Sequence, residues 1–230
     1  MPIANHLIEI HDLKKTYQSK DTSVDAIKKM DFFIDDKEFV TIMGQSGSGK
    51  STLLSIIGGL SYPTKGKVIV DSLDLYSLST EQRADFRSEY IGFVFQSFQL
   101  IPYLTVLENV KLPMTITGQK KKVKHQMAME VIEKVGLKEK ANRLPDQLSG
   151  GEQERIAISR AIVNKPPIIL ADEPTGNLDS NTAHDIMKLL QSLNKDGHTI
   201  IVVTHNLSMK SYASRTICVE DGKCFKDTLL

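Results

Sequence analysis

Eight residues, Gly44-Gln45-Ser46-Gly47-Ser48-Gly49-Lys50-Ser51, constrain the fold of this 230-residue chain more than any other stretch. They satisfy G-x-x-x-x-G-K-[ST], and the flanks supply the context that makes such spacing meaningful. The apolar run Phe39 to Met43 reads as a strand entering the loop, and Thr52 to Gly59 reads as a helix leaving it, ended by Gly58-Gly59. Glycines let the backbone curl and turn successive N–H groups inward, which a Cβ would obstruct. A helix N-terminus behind the loop adds partial positive charge. The pattern predicts a nucleotide phosphate site in which Lys50 meets the β and γ phosphates and the Ser51 hydroxyl ligates Mg²⁺.

The rest of the chain supports an α/β fold. Strand-like runs are expected at Leu7 to Ile10, Ala26 to Ile34, Lys67 to Val70, Ile168 to Ala171, Thr199 to Val203 and Thr216 to Val219. Helical stretches are predicted from a Ser79/Gln82 capping box through Ser88, at Gln119 to Val135 before Gly136, at Gln153 to Val163, and at Ser180 to Lys195. Strands alternating with helices imply a mainly parallel sheet. Between Phe98 and Leu148 the character is mostly helical. One domain over residues 1–230 is therefore expected, with a nucleotide-binding core at 1–97 and 149–230 and an inserted helical subdomain at 98–148.

Two further segments carry chemistry. Ile168 to Ala171 is an apolar strand ending in Asp172 and Glu173, which places two carboxylates at the phosphate end of a sheet. Asp172 suits Mg²⁺ held through water, and Glu173 suits a base that orients and deprotonates an attacking water. Leu148-Ser149-Gly150-Gly151-Glu152 contains S-x-x-E, a capping box for the helix that follows. Two consecutive glycines in a first helical turn weaken it by roughly 1 kcal/mol each, so capping alone does not account for them. Backbone N–H groups and a hydroxyl that must approach a phosphate closely would.

Taken in order, Gly44 to Ser51, Leu148 to Glu152 and Ala171 to Asp179 (ADEPTGNLD) resemble the ATPase subunit of ABC transporters over essentially the whole chain. Ile91 to Gln96, Leu100 to Thr105 and Glu108-Asn109-Val110 narrow the resemblance to the MacB and LolD type, which serves lipoprotein release and macrolide or peptide export. The resemblance implies a P-loop NTPase core with an N-terminal antiparallel β subdomain, and ATP with Mg²⁺ as ligands. It implies further that Tyr17 stacks on adenine and that the ATP is held by Gly44 to Ser51 with Thr52. Gln96 would touch Mg²⁺ and the attacking water, and His205 the γ-phosphate. Ser149, Gly150, Gly151 and Glu152 would close on ATP held by a second copy of the chain, with Asp179 lining the seam. Glu154 stands where glutamine or a basic residue is more usual, implying extra negative charge near an anionic ligand unless its side chain faces solvent.

Composition bounds the partners. Lys plus Arg number 29 against 28 for Asp plus Glu, a formal charge of +1, which provides no strong global field for nucleic acid or an anionic membrane. The basic run Lys120, Lys121, Lys122, Lys124 opens a predicted helix without interleaved aromatics and reads as a solvated face. Cys218 and Cys224 have no neighbouring ligands for a metal site and are expected to be reduced residues near a terminal hairpin. No apolar run approaches the ~20 residues that span a bilayer. The expected setting is the cytoplasmic face of a membrane, reached through a separate permease, with a periplasmic or extracytoplasmic adaptor as a further partner. A regulatory FtsE-like ATPase that signals through a membrane protein without transport shares the motifs and is the alternative.

Overall fold

The computed structural model describes residues 6–19 and 22–229. Its strands form one ten-stranded sheet made of two parts with different logic. The first part is antiparallel: β1 (Ile8–Gln18) lies between β2 (Ser23–Ile34) and β4 (Lys65–Val70), with β5 (Leu73–Asp74) on the outer edge. The second is parallel and centres on β3 (Phe39–Met43), which is flanked by β8 (Thr199–Thr204) and β9 (Arg215–Glu220), while β7 (Ile168–Asp172) and β6 (Ile91–Val94) continue outward from β8. The terminal strand β10 (Lys223–Leu229) forms an antiparallel hairpin with β9 and a single parallel bridge to β2, joining the parts. Cys218 and Cys224 sit on the two arms of that hairpin, both free.

Every residue of β3 and of β8 is buried, as expected for parallel strands covered by helices on both faces. On one face α1 (Lys50–Ile57) inserts Leu53, Leu54, Ile56 and Ile57 into a core shared with the antiparallel layer. On the other, α6 (Ser180–Lys195) presents Ala183, Ile186, Met187, Leu190 and Leu193, an apolar stripe at helical spacing. A third cluster gathers α3 (Val106–Lys111), α4 (Lys121–Lys134) and part of α5 (Gly150–Ile162), through Val106, Val110, Ala128, Ile132 and Ile156. The loop entering α3 is fixed by the fully buried Asn109, whose amide donates to the carbonyls of Ile101, Leu104 and Thr105 and whose Oδ1 accepts from Ile101 N–H. Among the described residues no helix is long and apolar enough to cross a membrane.

Several boundaries differ from those expected. The helix after the phosphate loop starts at Lys50, two residues early, because Gly49 takes φ 100° and turns the chain directly into it. The helix after Leu148 starts at Gly150, not Gln153, because Ser149 is its N-cap with the full reciprocal box to Glu152. β1 runs on to Gln18 through three register shifts against β2 that its side-chain pattern does not announce. The capping box predicted at Ser79 is formed, and it opens α2 (Thr80–Tyr90).

Candidate active site

The parallel strands bring four functional segments to one edge. The phosphate loop follows β3, Gln96 lies two residues past β6, Glu173 follows β7 and His205 follows β8. All lie beyond the carboxyl ends of neighbouring parallel strands, where open α/β sheets place their ligands. There they line a cavity of about 1010 Å³ together with every residue from Gly44 to Thr52.

The loop is shaped by close approach. A Cβ on Gly44 would stand 2.1 Å from the Val219 carbonyl oxygen, and one on Gly49 would stand 2.2 Å from that of Ala26. Gly47, at φ 80°, faces open space. The Lys50 ammonium donates to the carbonyls of Gly44 and Gln45 at 2.8 Å each, so the loop's own backbone holds the cation over the cavity. Burial pushes the Lys50 pKa down, opposed by the carboxylates of Glu173 and Asp172. The Ser48 Oγ is buried in the loop without a hydrogen-bond partner among the described residues. The ammonium over the cavity, a helix start with no side-chain cap and a loop backbone that only glycine allows at Gly44 and Gly49 together fit a polyphosphate.

Asp172 joins the site through Ser51, whose hydroxyl donates to its Oδ1 at 2.9 Å. Burial pushes the Asp172 carboxyl up, partly offset by that hydrogen bond. Among the described residues no cluster of three or more His, Cys, Asp or Glu could hold a metal. The Ser51 hydroxyl and the Asp172 carboxylate it pairs with, together with Gln96 on the same cavity, are oxygen donors that fit Mg²⁺, the remaining positions falling to phosphate oxygens and water.

Glu173 is the most constrained residue of the site. It is buried, at 8% exposure, and adopts φ 47°, a left-handed conformation that costs a non-glycine residue roughly 1–3 kcal/mol. Its surroundings fix it. The Glu173 N–H donates to Val203 carbonyl at 2.9 Å, its Oε2 accepts from the Thr204 hydroxyl at 3.0 Å, and its Oε1 accepts from the His205 N–H at 3.1 Å. The same Oε1 stands 2.8 Å from the His205 Nδ1, while the rest of the ring is largely exposed. A carboxylate so held can orient a water and take its proton. Thr204 was not singled out from sequence; its position beside His205 at the end of an apolar strand is the signal that was available.

The remaining predicted residues lie elsewhere. Tyr17 is half exposed on β1 with the Lys15 ammonium 4.8 Å from its ring centroid, and it does not line the cavity. Neither do Ser149, Gly150, Gly151 and Glu152, which form the start of α5, nor Asp179. The Ser149 Oγ accepts from Glu152 N–H, Glu152 accepts from Ser149 N–H at 3.0 Å, and the Lys140 ammonium lies against the Glu152 carboxylate. That lysine, followed by the Ser149 amide, holds the Glu152 carboxyl below its usual range. Asp179 caps α6, accepting from Asn181 N–H, Thr182 N–H and the Thr182 hydroxyl. Gly151 has a packing reason within the chain, since a Cβ there would stand 2.3 Å from Thr182 Cγ2. Glu154, expected to bring charge near the ligand unless it faced solvent, does neither: it does not line the cavity, it is 1% exposed, and burial pushes its carboxyl up to about 8.

A phosphate loop, a paired hydroxyl and carboxylate, and a second, tightly held carboxylate at one sheet edge define a P-loop ATPase. The family model described as ABC transporter matches residues 27–176, and the chain belongs to that family, in its MacB type. It is 44% identical over 232 residues, 97% of each chain, to an uncharacterized ABC transporter ATP-binding protein of Methanocaldococcus jannaschii, MJ0796. It is 45% identical over 217 residues to an uncharacterized one of Thermotoga maritima, covering 94% of this chain and 93% of that protein. With the macrolide export ATP-binding/permease protein MacB of Chlorobium phaeobacteroides it shares 45% identity over 97% of its own length, but spans only 34% of MacB. A dimeric structure of MJ0796 bound to ADP and Pi matches with TM-score 0.90 at 43% identity, over 97% of this chain and 98% of that one. The chain is accordingly an ATP-binding ATPase cassette.

Proposed function

We propose that this chain is the ATP-hydrolysing subunit of a MacB/LolD-like transporter, and that two copies close head to tail around two ATP. The observation that carries the reading is a separation. The cavity holding Lys50, Ser51, Gln96, Glu173 and His205 receives nothing from Ser149 to Glu152 of the same chain, so that helix start is left to meet a partner's cavity. The dimeric MJ0796 structures support the pairing.

In each site Lys50 and the loop amides bind the phosphates, Tyr17 contacts the base, and Glu173 activates water beside His205 and Gln96. Ser51, Asp172 and Gln96 would hold Mg²⁺, which would supply charge neutralisation at the phosphates. Closure moves the helical segment 98–148, and segment 97–110 passes that motion to a separate permease at the cytoplasmic face of the membrane, with an adaptor beyond it. MacB itself, whose name joins ATP-binding and permease functions, supports such a partner.

Glu173→Gln tests the reading. The variant should bind ATP, lose roughly 10²–10⁴-fold in turnover, as removal of a general base does, and elute as a dimer with Mg²⁺ and ATP. Pull-down of that variant from detergent-solubilised membranes should recover a permease with a large extracytoplasmic domain. Normal turnover would overturn the base assignment, a monomer at saturating ATP the head-to-tail site, and a division-type membrane protein the transport role.

A further inference from the structure

The turn after Gln96 has a conformation that its own residues disfavour. Phe98 and Gln99 both lie in the left-handed region, at φ 57° and 49°, and neither is glycine. Inside the turn, Phe98 N–H donates to the Phe95 carbonyl at 3.0 Å and Gln99 N–H to that of Ser97 at 2.5 Å. Two adjacent non-glycine residues keep such a shape only where the surroundings over-determine it.

Arg160, on α5, provides that constraint. Its NH2 donates to the Phe98 carbonyl at 2.7 Å and its NH1 to the Gln99 carbonyl at 2.5 Å, so one planar fork grips both strained residues. Glu154, on the same helix, is buried with its Oε1 unpartnered among the described residues. At the other end of the turn, the Phe98 ring approaches the helix start: a Cβ on Gly150 would stand 3.9 Å from its Cζ. The turn thus meets α5 twice, once beside Gly150 and once at Arg160, about three turns further on, while its preceding residue, Gln96, lines the cavity.

We infer that Arg160 is a positioning residue for ATP hydrolysis. By tying the Gln96 turn to α5, it makes the placement of Gln96 in one cavity depend on where the Ser149 end of the same helix sits against the partner's ATP. This rests on the roles proposed above for Gln96 and for closure between two copies. Arg160 touches no nucleotide in this scheme and acts through the turn.

A double-mutant cycle on the full chain tests it, with turnover read at saturating Mg·ATP, KM for ATP from the same titrations, and melting curves to verify folding. Arg160→Ala should lower kcat roughly tenfold with KM changed less than about twofold, the pattern of a lost transition-state interaction. Arg160→Lys, which can serve only one of the two carbonyls, should recover part of the loss and stands in if the alanine variant does not fold. The arginine substitution in a Gln96→Ala background should add nothing to the loss caused by Gln96→Ala alone. Wild-type kcat in both Arg160 variants, or a loss that multiplies fully with that of Gln96→Ala, would overturn the tether. Unchanged turnover in Gln96→Ala alone would instead strike the Gln96 assignment, an outcome read without reference to Arg160.

Discussion

Two helices of this protein begin in glycine-rich sequence, and they begin in opposite ways. α1 starts behind Gly49, whose left-handed turn leaves the helix with no side-chain cap and its first residues, Lys50, Ser51 and Thr52, lining the cavity. α5 starts behind Ser149, whose hydroxyl and whose partner Glu152 satisfy each other's backbone amides in a complete capping box. Both starts carry the partial positive charge of a helix N-terminus. The first is a standing anion site, with Lys50 already over it. The second is self-satisfied, with Lys140 against Glu152 besides, so a phosphate reaching it must compete with internal hydrogen bonds. In the dimer proposed above, one half of the composite site would be permanent and the other conditional, as closure with ATP and release after hydrolysis require.

The largest effects should fall on the permanent half. Lys50→Ala removes the buried ammonium and should abolish measurable ATP binding by the isolated chain in equilibrium dialysis. Ser149→Arg should leave that binding unchanged, cost about 1 kcal/mol of helix capping, and eliminate turnover. Mixing the two inactive proteins then separates the halves. In the mixed dimer one cavity pairs an intact Lys50 from one chain with an intact Ser149 from the other, so ATPase activity should reappear. If both motifs served the same chain's nucleotide, mixing would restore nothing.

The permanent half was also the legible one. A strand, a glycine loop and a helix are contiguous, so local sequence contains the whole site, and the acids after Ala171 and the histidine after Thr204 follow from strands ending at one edge. The conditional half depends on what each residue packs against. Gly151 was read as room for a phosphate, yet Thr182 of α6, remote in sequence, already requires a small residue there. β5, two residues long, and α3, six residues held by Asn109, have too little periodicity to register. Glu154 is different, because Glu154, Ile158, Ala161 and Ile162 fall on one stripe of α5 and all are buried. Helical spacing alone puts Glu154 on the buried stripe, its charge argues for the solvent side, and packing prevails.

That buried acid gives the next prediction in size. The folded-state pKa of Glu154 is pushed up to about 8 from 4.5 by burial, so the folded protein binds a proton that the unfolded chain releases between those values. Stability is therefore lost as pH rises through that window, at about 1.4 kcal/mol per unit. Glu154→Gln keeps the shape without the ionisation. Its unfolding midpoint in urea should match the parent near pH 4 and exceed it progressively to pH 8, by roughly 2–4 kcal/mol at neutrality. An advantage independent of pH between 4.5 and 8 would mean that the folded carboxyl is not raised above its unfolded value.

The smallest effect belongs to Tyr17, and it tests whether base recognition travels with the permanent half. Tyr17 pairs with Val24 in the antiparallel layer, two residues from Ala26, whose carbonyl bounds Gly49 and which lines the cavity. Stacking needs the ring and not the hydroxyl, so Tyr17→Phe should be silent. Tyr17→Ala should raise KM for ATP about two- to tenfold, for an aromatic contact of roughly 0.5–1.5 kcal/mol, with kcat unchanged. The mixed dimer makes this directional. Placed on the Ser149→Arg chain, which contributes the working phosphate loop, Tyr17→Ala should raise KM. Placed on the Lys50→Ala chain, which contributes only its Ser149 end, it should change nothing. An equal effect from either chain would show that the base is gripped across the seam, and would move the division between the two halves from the phosphates to the adenine.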